Sequence, residues 1–289
     1  MPPILIGTIL SMLGIAFGIG TGVIVKIIAD DVNIVMTLWY RFLFSLPILF
    51  LVAYWTKGRE FYVIHAKKTL LLRVIFGMGG ILFWFLSVRN LPLGLATSVM
   101  HSSVIYIAML SPLILSERVG VYRWSAVIFG LAGVFIISDA FTSQFDAAIL
   151  FAICASVSGA GLQLALRRLG KSDAPASVAS WYNFAGFLVI SAVLMIVPSF
   201  WQIFDARIMW YLIVLGVFGS FLQICFTSSY LYIDAVVVAT TRYLQVPLAA
   251  LLGFLAFGEV PTTAHYIGAF LIVSSSFVIV IREFQKRGQ

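Results

Sequence analysis

The chain has 289 residues, of which 62% are hydrophobic and 10% are Asp, Glu, Lys or Arg, against roughly 45–50% and about 25% in an ordinary soluble domain. With a mean hydropathy of +1.09 and 25 Phe, 11 Tyr and 7 Trp, too few polar residues remain to cover a water-soluble globule, so lipid is the expected solvent. Intrinsic disorder and nucleic-acid binding are excluded too, because the formal charge of +7 is spread over short loops and forms no basic face.

A helix crossing about 30 Å of hydrocarbon needs about 20 mostly apolar residues. Charged, Gly or Pro punctuation cuts the chain into ten such stretches, near 4–28, 33–55, 70–88, 93–115, 121–138, 147–166, 175–197, 208–230, 235–257 and 262–281. The first opens MPPILIGTILSML, without the basic n-region and small-residue cleavage site of a signal peptide, and is read as a permanent span. These runs are too long, and too continuously apolar, for the strands of a membrane barrel. Cys154 and Cys225 fall inside apolar runs and are read as small core residues, so a disulfide framework, a metal site and a cofactor are not expected.

Orientation follows from the Lys and Arg content of alternate loops. The side bearing both termini collects Lys57, Arg59, Lys67, Lys68, Arg73, Arg118, Arg123, Arg167, Arg168, Lys171, Arg282, Lys286 and Arg287. The other side has Lys26, Arg89 and Arg207. That asymmetry predicts that both ends are cytoplasmic.

Shifting the chain against itself by 142 residues pairs Trp39-Tyr40 with Trp181-Tyr182 and Glu117 with Glu259. The same shift pairs Asp31 with Asp173, Phe42 with Phe184, Leu46 with Leu188, Gly77 with Gly219, Leu110 with Leu252, Leu113 with Leu255 and Phe135 with Phe277. Matches spread along one fixed offset indicate a duplication, with copies at 1–140 and 141–289. Each copy holds five spans, an odd number, so the two lie in the membrane with opposite topology. The expected fold is therefore an all-α integral membrane protein of ten transmembrane helices in two inverted five-helix repeats. This is the architecture of secondary transporters, whose substrate site lies near the midplane.

At 1.5 Å of rise per residue, Arg41, His101, Asn183 and Arg242 fall roughly 12–15 Å from the polar ends of their spans. A central Arg costs at least about 2.5 kcal/mol on insertion scales, so such a residue faces protein or water. At 100° per residue, Ser98, His101, Ser102, Tyr106 and Met109 share a side of span 4, and Thr241, Arg242 and Gln245 share a side of span 9. Gln223, Phe226, Thr227 and Tyr230 do so on span 8, and Trp84 and Ser87 on span 3. Together these stripes could line one cavity. The alternative reading is structural: Ser and Thr in membrane helices bond back to their own backbone or join helices, His101 packs, and Arg41 pairs with a helix-end carbonyl. Arg242 is the foremost candidate, beside Thr241, Tyr243 and Gln245 and just before Pro247, which loosens backbone bonding. Gly7, Ser11, Gly14, Gly18 and Thr21 form a small-residue stripe on span 1 that invites close packing, with span 6 as its expected neighbour.

No Asp or Glu falls in the central part of any span, so a carboxylate that alternates between a proton and a lipophilic cation is lacking. An electropositive midplane with Trp and Tyr nearby suits a carboxylate-bearing or zwitterionic solute, with Arg242 as anion partner and rings covering its apolar part.

The first half carries LLRVIFGMGGILFWFLSVRNLPLGLATSV and then SPLILSERVGVYRWSAVIFGLAGVFII. The second carries VATTRYLQVPLAALLGFLAFGEVPTTAHYIGAFLIVSSSFVIVIRE. With its Arg-Tyr, the Pro before Gly-Glu, the following Pro261 and the closing Arg-Glu, the chain resembles the EamA-type permeases of the drug/metabolite transporter superfamily over essentially its whole length. One departure is Ile105, standing where the first repeat of the family usually has the counterpart of Pro247, which leaves the distortion of span 4 open. The resemblance implies alternating access through a cavity lined mainly by spans 3, 4, 8 and 9. Family members include exporters of amino acids, aromatic ones among them, and uptake carriers for S-adenosylmethionine.

The leading expectation is a bacterial inner-membrane exporter of amino acids or related compounds, using Arg242, His101, Trp84, Tyr106, Ser98, Ser102, Thr241, Gln245, Gln223, Thr227 and Tyr230. The alternative is an uptake carrier for S-adenosylmethionine or another nucleotide-like solute. A membrane-embedded enzyme is a remote third reading, since the chain has no HExxH, GxSxG or clustered Asp motif. The expected partners are a small-molecule solute and the bilayer; the sequence carries no signal for or against a homodimer.

Overall fold

The computed structural model describes residues 3–103, 105–107, 125, 128–133, 136, 146–169, 172–229, 232, 242 and 244–287. Among these, the α-helices are α1 (Pro3–Ile27), α2 (Ile34–Lys57), α3 (Lys67–Asn90), α4 (Leu93–His101), α5 (Ile149–Leu169), α6 (Pro175–Ile196), α7 (Ala206–Ser229), α8 (Gln245–Phe257) and α9 (Thr263–Arg287). They fall on the first four and last five of the ten expected spans. Six of the described helices, α1, α2, α3, α5, α6 and α7, are long and apolar enough to cross a membrane. The fifth span lies largely outside the described residues.

The chain forms two compact units, residues 1–78 with 164–233 and residues 79–163 with 234–289. They interleave the two sequence copies, since each draws helices from both.

In the first unit α2 packs on α6 and α7, and α1 packs on α7. Phe42 is fully buried, edge-on to Tyr182, with their ring centroids 5.8 Å apart. It rests where Gly186 leaves room that a Cβ would close. Hydroxyls bind the helices across this seam: Ser45 Oγ donates to Gly216 O at 2.9 Å and Ser180 Oγ to Leu49 O at 3.1 Å. The small residues of α1 receive rings from α7, Gly14 meeting Phe226 and Gly20 meeting Phe218. Trp55, Tyr62, Trp201 and Trp210 stand exposed near helix ends, where indole and phenol rings sit at a membrane interface.

Two clasps fix the connections of this unit. Asn33 caps α2 by accepting the Met36 N–H at 2.9 Å, and its Nδ2 donates to Phe200 O and Gln202 Oε1 at 2.7 and 2.9 Å. Asp173 accepts the His65 and Ala66 N–H groups at 2.6 and 3.1 Å, just ahead of α3, and the Ser172 hydroxyl at 2.7 Å. Each clasp joins two connections that a ten-span count places on the same membrane face.

In the second unit α4 packs on α8 and α9. Gly94 brings α4 against Ala250, where a Cβ would overlap. Glu259, beyond the left-handed Gly258 (φ +67) that ends α8, accepts the Leu93 N–H at 2.7 Å and so caps α4.

Candidate solute-binding site

The described part of span 4 is not one continuous helix. The Ser102 N–H bonds Val99 O at 3.0 Å, and its hydroxyl donates to the same carbonyl at 2.6 Å. This tight i to i−3 pairing ends α4 at His101, and helical bonding resumes with Ile105 N–H to Ser102 O at 2.9 Å. A serine hydroxyl that competes for a backbone carbonyl is a known cause of such breaks. The open question raised by Ile105 is thereby answered: span 4 is distorted without a proline.

On the other copy α8 begins at Gln245 after a turn at Leu244, with Pro247 in its first turn, where the missing N–H costs no helical bond. Ser102 and Leu244 are separated by the repeat offset of 142 residues. The duplicated element is therefore interrupted at the same place in both copies, and interrupted helices expose backbone groups and side chains at a transporter midplane.

The second unit brings part of the expected set together around these breaks. His101 is buried and hydrogen-bonded through its side chain to Gln245, also buried, and it lies within the field of Arg242. Tyr106, half-buried, is hydrogen-bonded to Ser102. Ser102 also shares a hydrogen bond with Ser156 of α5, Oγ to Oγ 2.8 Å. Trp84 is buried on α3 in the same unit. Ser98 donates to Gly94 O at 2.8 Å and lines a cavity of about 290 Å³ among α4, α8 and α9, with Pro92, Pro247, Glu259, His265 and Tyr266.

Gln223 belongs to the first unit, where it accepts the Asn183 Nδ2 group at 3.2 Å. It lines a second cavity of about 170 Å³ with Thr56, Lys57, Ala179 and Ser228. Thr241, Tyr230 and the side chain of Thr227 lie outside the described residues. Among the described residues no three of His, Cys, Asp or Glu gather to hold a metal.

Two participants escaped the sequence reading. Ser156 lies inside span 6 and is not one of the residues expected to line the site. Arg73 had been counted as a loop cation, yet it is 7% exposed inside α3, with its Cζ 3.9 Å from the centroid of the Tyr182 ring. The signal for it was Gly77, one turn on, where a Cβ would overlap both the guanidinium and that ring.

A solved crystal structure superposes on 96% of both chains with a TM-score of 0.64 at 17% identity, which shows a shared fold. The riboflavin transporter of Vibrio cholerae is 28% identical over 75% of this chain and 72% of its own length. The S-adenosylmethionine uptake transporter of Rickettsia prowazekii is 26% identical over 85% and 82%. The pseudopaline exporter of Pseudomonas aeruginosa is 26% identical over 71% and 72%. The model of the EamA-like transporter family matches twice, at residues 4–139 and 146–281. With its apolar spans, its duplicated sequence and these two matches, the chain belongs to the EamA-like transporter family, as a multi-pass, ten-helix membrane protein of inverted repeats that carries a small molecule and is not an enzyme.

Proposed function

We propose that the protein is an alternating-access carrier of the bacterial inner membrane for small solutes bearing an amino-acid group, working as an exporter of amino acids or related compounds. The observation that carries this reading is the meeting of Arg242, Gln245 and His101 beside two repeat-equivalent helix breaks. A guanidinium offers a carboxylate paired, charge-assisted hydrogen bonds, and Gln245 and His101 add neutral groups able to orient the amino end. Trp84 and Tyr106 are proposed to cover the apolar part of the solute, and Ser98, Ser102 and Thr241 to complete the lining. The two family matches support a division into copies at 1–140 and 141–289. The Lys and Arg asymmetry of the loops supports cytoplasmic termini.

A second reading is favoured by the S-adenosylmethionine uptake transporter of Rickettsia prowazekii, similar over 85% of this chain. S-adenosylmethionine carries an amino-acid group of its own, so a carrier that imports it would use the same anchor and stack aromatic rings on the adenine. Counterflow in proteoliposomes loaded with labelled amino acids separates the two: displacement by neutral and aromatic amino acids supports the first, and displacement by S-adenosylmethionine alone supports the second. In either case Arg242→Ala removes a charge-assisted bond of about 1.5–3 kcal/mol, about 10–100-fold in solute affinity, while the protein still reaches the membrane. Undiminished affinity removes Arg242 from the site.

A further inference from the structure

The first unit holds a second electropositive centre, built from residues that the solute site does not use. Arg41 of α2 is 4% exposed and Arg73 of α3 is 7% exposed. The two are linked by a pair of touching rings: Arg41 lies over Phe42, Arg73 lies over Tyr182, and the Phe42 and Tyr182 centroids are 5.8 Å apart. Nη1 of Arg41, and Nε and Nη1 of Arg73, are buried without a hydrogen-bond partner. Among the described residues neither arginine has a carboxylate in ion-pair range. What faces them is soft: the Phe42 ring with its centroid 5.1 Å from Arg41 Cζ, and the Tyr182 ring 3.9 Å from Arg73 Cζ.

The sequence is shaped to hold both groups there. Gly77 on α3 makes room for Arg73, and Gly219 on α7 lies against the Arg41 guanidinium, 3.3–3.5 Å from its nitrogens and carbon to an added Cβ. These two glycines are repeat equivalents, 142 residues apart. Arg41 itself is the repeat equivalent of Asn183, whose Oδ1 is buried and also without a partner. One turn beyond Gly219 on the same face of α7, Gln223 accepts from Asn183 and lines the 170 Å³ cavity that reaches Lys57.

Two like charges buried in one unit with unpartnered donors are costly, and ring contacts offset only part of that cost. An oxyanion supplies what is missing, since a carboxylate or phosphate accepts several guanidinium bonds at once. We propose that Arg41 and Arg73 form an oxyanion site inside the first unit, distinct from the Arg242 site, which takes a carboxylate or phosphate group. The group comes either from a free anion or from the headgroup of an anionic phospholipid.

The full-length protein tests this in thermal unfolding followed by tryptophan fluorescence, as an occupied site raises the melting temperature. In detergent, inorganic phosphate or acetate replaces chloride at constant ionic strength; in phosphatidylcholine nanodiscs, phosphatidylglycerol is added. Saturable stabilisation by phosphate or acetate, lost in Arg41→Gln and Arg73→Gln, identifies a free anion. The same stabilisation appearing only with phosphatidylglycerol identifies a lipid headgroup. Stabilisation by none of these, an equal response to chloride, or a response kept in both arginine variants overturns the site. Should both variants fail to fold, Arg41→Lys and Arg73→Lys decide, because each keeps the charge and loses the paired donors: a weakened anion response upholds the site and an unchanged one overturns it.

Discussion

Asp173 shows how one side chain ties two distant parts of the chain together and makes that tie depend on pH. Its carboxylate is fully enclosed, while the His65 ring that it touches at 3.2 Å is 71% exposed. Burial alone raises a carboxyl group, but the backbone N–H of His65, the Ser172 hydroxyl, the Ala66 N–H and the His65 ring favour the charged form and hold the group below the usual carboxylate range. A folded-state value below the unfolded one contributes stability that is complete above the unfolded value, near 4, and is lost as the pH falls through the folded one. Asp173→Ala therefore lowers stability at neutral pH by about 2–3 kcal/mol, through bonds to a charged acceptor. The gap between wild type and variant in melting temperature closes below about pH 4. A gap that is flat from pH 7 to pH 3 counts against the carboxylate as its source.

At the scale of the element, the repeat-equivalent spans 4 and 9, which carry α4 and α8, show what the sequence made legible and what it did not. Span positions could be read because bilayer thickness sets helix length, and the 142-residue offset could be read because identities recur along it. The break at Ser102 could not be read from span 4 alone, where Ile105 stands in place of proline; the repeat would have located it by transfer from the turn before Pro247. Hydroxyl roles were equally hidden, because one face of a helix admits both back-bonding and a partner across the seam, and Ser102 does both. Arg73 was misplaced because distance from Lys67 and Lys68 fixes depth along α3 but not the direction in which the side chain turns. The Ser102 to Ser156 bond can be measured: Ser102→Ala takes the partner from the buried Ser156 hydroxyl, costing about 1–3 kcal/mol, whereas Ser156→Ala leaves Ser102 bonded to Val99 O and costs less. The double variant should lose less than the sum, with a coupling of at least about 0.5 kcal/mol. Strict additivity in urea or thermal unfolding would show that the two hydroxyls act separately.

For the whole molecule, compactness and duplication divide the chain differently, and both divisions bear on topology. The first unit contains the repeat-equivalent helices α2 and α6, and the second contains α4 and α8 from the repeat-equivalent spans 4 and 9, so each unit holds copies of one segment in opposite orientation. The clasps in the first unit therefore mark opposite faces: Asn33 with Phe200 and Gln202 on one, Asp173 with His65 and Ala66 on the other. Lys57, Arg59, Lys67 and Lys68 flank the second clasp, and each basic residue near an anionic cytoplasmic surface contributes about 1 kcal/mol. Moving Arg73 from that loop into the unit's interior leaves the asymmetry standing. Single cysteines read the outcome in a background where Cys154 and Cys225 are changed to Ala. Ser199→Cys, exposed in the short turn at Pro198–Phe200, and Arg59→Cys, exposed in the turn at Gly58–Tyr62, sit beside opposite clasps. In spheroplasts a membrane-impermeant maleimide should label Ser199→Cys directly and Arg59→Cys only after permeabilisation. The reverse pattern would turn the whole molecule over, placing both termini outside, and labelling of both in intact spheroplasts would contradict the inverted pairing of the clasps.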